Sequence, residues 1–472
     1  MKYLFKASVL FSFFILVSIF NTYTNFVNDF IRTTVEDLNA AILGEPLEEK
    51  STLLEKVTTD VGGFPWRFTK HIGVQSNLQF IETKIVEKWS DKFVDTSLET
   101  FFDNDAKALL ENEGVGGFLL EMLLPNKSRY SPHLAVINTD GELMQIIEPQ
   151  NESCNCTTPK SIGYLQITPW GRTSDWNKSG NKLIDFNFCG RKRWELASKF
   201  QFHHLWNNDI DETKNDFWVL DSTDLVKIDR DLGKEVSRIS LSDIITSNRN
   251  LSIFEPRLFR TRKDRWTYNQ AEFVPIKRKH SFITNADKDP FHTNNIEEYD
   301  GSEEGLFKNG DLLLSFRSIN LVVVVRPENK KVVWFVYGLT SRQHDPDFLG
   351  PNKVMIYDNN FHNEFSRIVE VEAFGSSDKN HSFGARITKE YKKIGADSFQ
   401  QLTGGSQFLT PKDNILIFPA NYYVAGIERE TEKALFAIRS KVNSEEDRFM
   451  QIGMLRELSS NEIDEIMNAK CE

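Results

Sequence analysis

A unit of about 50 residues recurs along the chain, and this repeat constrains the fold more than any other feature. Each copy has a polar lead, a turn, an apolar strand, a second strand ending in a charged residue, another turn and a further strand. Phe217–Leu220, Leu225–Asp229 and Gly233–Val236 make one copy. Asn309–Ser315, Asn320–Val325 and Lys331–Trp334 make the next, then Val354–Asn359 with Arg367–Glu372, and last Asp413–Phe418, Tyr423–Glu428 and Ala434–Ile438. Leu134–Ile137 and Glu142–Ile146, joined through Asp140-Gly141, read as an earlier hairpin. Four strands per unit at this period predict a β-propeller, with a β-sandwich as the next best fit. No alternation of strand and helix points to a parallel α/β sheet.

Only nine histidines occur, and several stand where a unit begins: His203-His204, His292 and His344. A residue type that recurs at one point of a ring of repeats faces one shared place. Neighbours on a strand point to opposite faces, so only one of His203 and His204 can reach it. Asn294, Arg317, Asn359, Arg367 and Tyr423 accompany the histidines. Imidazole and guanidinium together suit an anion. The plainer alternative is that these side chains tie blades together, and Arg317 fits a blade-to-blade ion pair equally well. Trp206, Trp218 and Trp334 read as core. The arginines disfavour a cation, so no metal or other cofactor is expected.

A net charge of −11 argues against a nucleic-acid partner. The 37 Phe, 9 Trp and 11 Tyr suit pleated, half-buried strands. Residues 1–28 carry Lys2 and Lys6 and then an apolar run, which predicts a membrane anchor or signal segment with the bulk of the chain exported to a periplasmic, extracellular or lumenal face. Residues 29–117 read as a membrane-proximal, partly helical region, with helices near Phe26–Ile42 and Asp91–Glu113. Residues 118–460 read as the propeller. In an exported protein Cys189 has Cys154 or Cys156 as a possible disulfide partner. A basic insertion between Ser247 and Lys288 reads as a solvated loop.

Across Gln201–Ile438 the chain resembles the bacterial arylsulfate sulfotransferase family. The resemblance rests on an ordered set: Phe291-His292-Thr293-Asn294, Asn309–Arg317, Val332-Val333-Trp334 with Gly338, Gln343-His344-Asp345, and Tyr357-Asp358-Asn359 followed by Arg367. It implies a six-bladed propeller that moves a sulfuryl group from an aryl sulfate to a phenol, without a nucleotide donor or a metal. It places His203 or His204, His292 and His344 on the channel, with Arg367 as the anion contact and Asn359 and Arg317 near it. The family's sulfate-carrying histidine lies in the last unit. Here that unit has no histidine, and Tyr422 or Tyr423 stands in its neighbourhood. A propeller that binds a sulfated or anionic ligand without chemistry, or an anchored interaction scaffold, is therefore the alternative.

Overall fold

A computed structural model describes residues 68–70, 77–84, 96–126, 129–148, 156–160, 163–167, 182–199, 202, 214–251, 253–254, 291–360, 365–376, 382–395, 397–399, 405–420, 423–442, 448–450 and 455–469. The strands form six antiparallel sheets, the blades of a propeller, and one small ribbon of Lys393–Ile394 with Asp397–Ser398.

Blade 1 joins Gly117–Asn126, Arg129–Asn138 and Leu143–Ile147 to Leu455–Leu458 from the C-terminal region. Blade 2 comprises Cys156–Lys160, Gly163–Ile167, Lys182–Asn187 and Lys192–Ala197. Blade 3 holds Asp216–Asp221, Asp224–Asp229 and Lys234–Ile239, and Phe202 bridges to Asp221 in the place of a first strand. Thr293–Glu298, Leu312–Phe316, Leu321–Arg326 and Lys331–Tyr337 make blade 4. His344–Gly350, Lys353–Asp358, Arg367–Ser376 and Ser382–Tyr391 make blade 5. Blade 6 runs through Phe408–Leu409, Ile415–Ala420, Tyr423–Glu428 and Ala434–Val442, and Thr96–Phe102 adds an outer strand.

The first, or lead, strands of neighbouring blades pack on one another where Thr293–Glu298 meets His344–Gly350 and Leu455–Leu458 meets Cys156–Lys160, which puts lead strands on the inner ring. The central strands are buried on both faces. This explains why Leu321–Val325 is a continuous apolar run rather than an alternating one. Tryptophans link successive blades: Trp218 Nε1 donates to Glu298 Oε2 at 2.8 Å and Trp334 Nε1 to Gly384 O at 2.9 Å. Both indoles are buried, as expected of core residues.

Helix α1 (Ala106–Glu113) closes on Gly114 in the left-handed region at φ 85°. Helix α2 (Leu241–Ser247) follows blade 3, with Ser240 as its N-cap. Helix α3 (Ser460–Met467) follows the C-terminal strand and opens with a full capping box on Ser459 and Glu462.

The helix expected over Asp91–Glu113 is corrected in its first half, where Thr96–Phe102 is a strand. Leu98 and Thr100 alternate into the core with Ser97 and Glu99 outside, and the edge of blade 6 supplies hydrogen bonds that override helix propensity. The expected anchor (1–28), the helix near Phe26–Ile42 and most of the basic insertion lie outside the described residues. Among the described residues, no helix is long and apolar enough to cross a membrane. Cys189 is disulfide-bonded.

Candidate functional site

Strand register places most of the expected residues at one end of the propeller. In blade 5 the lead strand begins at His344, which lies opposite Tyr357, and Asp358 lies opposite Arg367. In blade 4 Thr293 lies opposite Phe316, and the Arg317 N–H donates to His292 O at 3.1 Å. In blade 6 Tyr423 lies opposite Ala420. His292, Arg317, His344, Asn359, Arg367 and Tyr423 therefore share the rim at which lead strands begin, called the upper rim below. Phe202 opposite Asp221 brings the chain to the same rim just before His203 and His204, which are outside the described residues.

Two of these side chains meet directly. His344 Nδ1 lies 2.5 Å from Asn359 Oδ1, and both residues are buried. A carboxamide oxygen only accepts, so Nδ1 carries the proton of the neutral ring. In the neutral form of the ring the lone pair then falls on Nε2, the state in which an imidazole acts as nucleophile or base.

Asn294 reaches the same place from blade 4: its Nδ2 donates to Gln343 O at 3.0 Å, one residue before His344. Asn295 Nδ2 donates to Pro346 O at 3.0 Å. Gln343 is itself held by Ser315 Oγ and Leu321 O. On the other side, the Gln407 N–H donates to Asp345 Oδ2 at 3.0 Å and its side chain donates to Asp347 Oδ2. A buried polar seam therefore locks the lead strands of blades 4, 5 and 6. Buried polar groups of this kind specify one geometry when they are satisfied. His292 and Asp345, which lies in the seam, adopt positive φ, 48° and 42°.

Arg367 is engaged at each of its three guanidinium nitrogens. Its Nε donates to Asp358 Oδ2 at 2.8 Å, Nη1 to Glu390 Oε1 at 2.7 Å and Nη2 to Leu339 O at 3.1 Å. Asp358 Oδ1 also accepts the N–H groups of Ser341 and Asn360. Burial pushes the Asp358 carboxyl up, against the pull of the Ser341 N–H and Arg367. Burial likewise raises the nearby Glu297 carboxyl well above its ordinary value, although it accepts the Phe348 N–H.

Tyr423 packs in an aromatic cluster with Tyr357, Phe399 and Phe418, and Phe80 lies edge-on to it at 5.6 Å. Burial, with Tyr423 nearby, keeps the Tyr357 phenol protonated far above its ordinary range. Its hydroxyl donates to Pro419 O at 2.6 Å. Gln407 carried no signal in the sequence, and Gln343 and Asp358 stood there only as neighbours of His344 and Asn359. Asp358 had a readable signal, because Asp221 also ends the second strand of its unit and binds an incoming N–H, that of Lys199. Among the described residues, no group of three His, Cys, Asp or Glu could hold a metal ion.

Residues 204–421 match the arylsulfotransferase (ASST) family. The match begins at His204 and takes in His292, His344, Asn359 and Arg367, so the arylsulfotransferase span and the polar seam coincide. No curated protein matches the chain. Among solved structures, it is similar to a protein of unknown function from Bacteroides caccae, at 12% identity and a TM-score of 0.41, covering 72% of this chain and 98% of that one. It is also similar to a functionally unknown protein from Desulfotomaculum acetoxidans, at 10% identity and a TM-score of 0.34, covering 80% of this chain and 90% of that one.

Proposed function

We propose that the chain is an arylsulfotransferase-like enzyme in which His344 carries the sulfuryl group between phenolic compounds. The observation behind this reading is the 2.5 Å contact of His344 Nδ1 with Asn359 Oδ1 inside the arylsulfotransferase match. In the proposed first step, the Nε2 lone pair attacks the sulfur of an aryl sulfate. The S–N bond forms, the S–O(aryl) bond breaks, and the phenolate leaves with the bond pair. The ring becomes a sulfo-imidazolium, and its positive charge is stabilised through Nδ1–H by the Asn359 oxygen. In the second step an acceptor phenol attacks sulfur, the S–N pair returns to Nε2, and the acceptor's proton passes to a base. His292 is our candidate for moving that proton, and Arg317 for holding sulfate oxygens. This assignment removes the need for a histidine in the last unit. The Cys189 disulfide supports an exported, oxidising location.

The test is transfer from 4-nitrophenyl sulfate to a phenol acceptor. We expect turnover by the wild type, none by His344→Ala, and about a 100-fold lower kcat in Asn359→Ala. A stable sulfo adduct on His344, seen by mass spectrometry before acceptor is added, completes the expectation. Wild-type turnover in His344→Ala would sink the assignment. Burial of His344, which is only 2% exposed, favours a second reading, ligand binding without chemistry. That reading predicts thermal stabilisation by aryl sulfates with no product.

A further inference from the structure

We infer that Asp358 and Arg367 are positioning residues that hold Asn359 against His344, rather than contacts to the sulfate. The inference rests on the proposed role of His344. Four hydrogen bonds converge around the Asp358-Asn359-Asn360 turn. Asp358 Oδ1 accepts the Ser341 N–H at 2.7 Å and the Asn360 N–H at 2.9 Å, and Oδ2 accepts Arg367 Nε at 2.8 Å. Ser366 Oγ then donates to Asn359 O at 3.2 Å. The turn is thus held from both its own blade and the segment that crosses in from blade 4.

That crossing segment is fixed by the same pair. Leu339 O accepts Arg367 Nη2, and the Arg342 N–H donates to Asn320 Oδ1 at 2.9 Å. Two residues after Arg342 comes His344. Asp358 and Arg367 therefore set both partners of the histidine–asparagine contact, one through Asn359 and the other through the approach to His344. Asp358 is fully buried, and the guanidinium spends Nε, Nη1 and Nη2 on Asp358, Glu390 and Leu339. Outer partners that orient metal-bound histidines cost about 10- to 100-fold when removed, and the same scale is expected of partners that orient His344.

Blade 3 carries a related device with a different outcome. Asp221 accepts the Lys199 N–H at 2.8 Å and pairs with Arg238 at 3.0 Å. Its turn closes directly from Asp221 to Asp224, and Ser222 follows the aspartate where blade 5 has Asn359. The aspartate–arginine clasp thus recurs in blades 3 and 5, and in blade 5 an asparagine follows it.

Asp358→Asn and Arg367→Lys test the inference, with Asp311→Asn as a control. Asp311 makes a two-point pair with Arg326 at the opposite end of blade 4, so its loss tests fold stability alone. For Asp358→Asn and Arg367→Lys, a fall in kcat of about 10-fold or more with KM within about 2-fold is expected. Asp311→Asn should lower the melting temperature and leave kcat unchanged. A raised KM with kcat intact in Arg367→Lys overturns the inference, because it marks a direct sulfate contact. So does no change in either constant.

A second readout does not depend on turnover. ¹⁵N NMR of labelled histidine should show His344 as the Nδ1–H tautomer in the wild type and as a mixture in Asp358→Asn. An unchanged tautomer overturns the positioning role even if the chain proves to have no transferase activity. Absent wild-type activity with a shifted tautomer would instead overturn the proposed function and leave the clasp standing.

Discussion

The histidine at 344 and the asparagine at 359 lie 15 residues apart in sequence, and a strand and its turn bring them into contact. Their residue types were legible because the repeat placed both at unit boundaries. Their contact was not, because it depends on how the Asp358 turn is held. Arg367 shows the same limit in reverse. Its position next to Asn359 was readable, but its neighbours across the sheet, Asp358 and Glu390, are set by strand register. Gly405 carries a prediction at this scale. A Cβ there would stand 2.6 Å from Tyr357 Cε1, and Tyr357 is fully buried with its hydroxyl tied to Pro419 O. Neither the ring nor the backbone has room to give. Gly405→Ala should therefore destabilise the fold by about 1–3 kcal/mol, read from urea unfolding. Because the ring lies opposite His344 in register, turnover should fall as well. Unchanged stability would show that the two blades slide apart at little cost.

Blades were legible as elements wherever each strand had its own apolar pattern. The hairpin around Asp140-Gly141 and the inner strands of blades 4 to 6, such as Leu321–Arg326, Lys353–Asp358, Ile415–Ala420 and Tyr423–Glu428, fall where the sequence placed them, whereas Ser382–Tyr391 and Phe408–Leu409 carried no strand reading. Thr96–Phe102 was not legible as a strand, because its pairing partner lies more than 300 residues away in Ala434–Val442. Connections between blades also escape sequence patterns, and one of them carries a pH signature. Glu370 in blade 5 accepts Tyr391 Oη at 2.6 Å and, from blade 6, Arg429 Nε at 2.9 Å. Burial would raise the Glu370 carboxyl, but the bonds from Tyr391 and Arg429 outweigh it and hold the group below its ordinary value. A depressed carboxyl contributes stability above its unfolded value, and this is lost as pH falls through the folded one. Glu370→Gln should thus cost about 2–4 kcal/mol at neutral pH, with the difference from wild type shrinking below about pH 4. Urea unfolding across that range checks it. A constant difference at every pH would show that the charge on Glu370 does not connect the blades.

A ring of blades gains its cooperativity from closure, and both ends of the propeller region take part. Leu455–Leu458 forms the lead strand of blade 1, and Thr96–Phe102 edges blade 6 before the chain passes through α1 into blade 1. Glu113 at the end of α1 is buried and accepts Thr410 Oγ1, the Lys412 N–H and Asn414 Nδ2, so the helix is fastened to blade 6 as well. The repeat predicted a ring, but no pattern within Leu455–Leu458 reveals that four residues near the C-terminus complete the first blade. Leu455 and Leu458 are buried in two different core clusters, and Ile463 and Ile466 of α3 join Leu458 against Leu119 and Leu134. Each such side chain contributes about 1.5–3 kcal/mol when fully buried, an upper value because unfolded chains are already partly compact. Together they are comparable with the whole stability of an ordinary domain, about 5–15 kcal/mol. Deleting 455–472 should therefore abolish the cooperative thermal transition rather than merely lower it. The milder Leu458→Ala should keep the transition and lose about 2–5 kcal/mol. A deletion variant that still melts in one sharp step near the wild-type temperature would mean that blade 1 stands on three strands and that the ring is closed elsewhere.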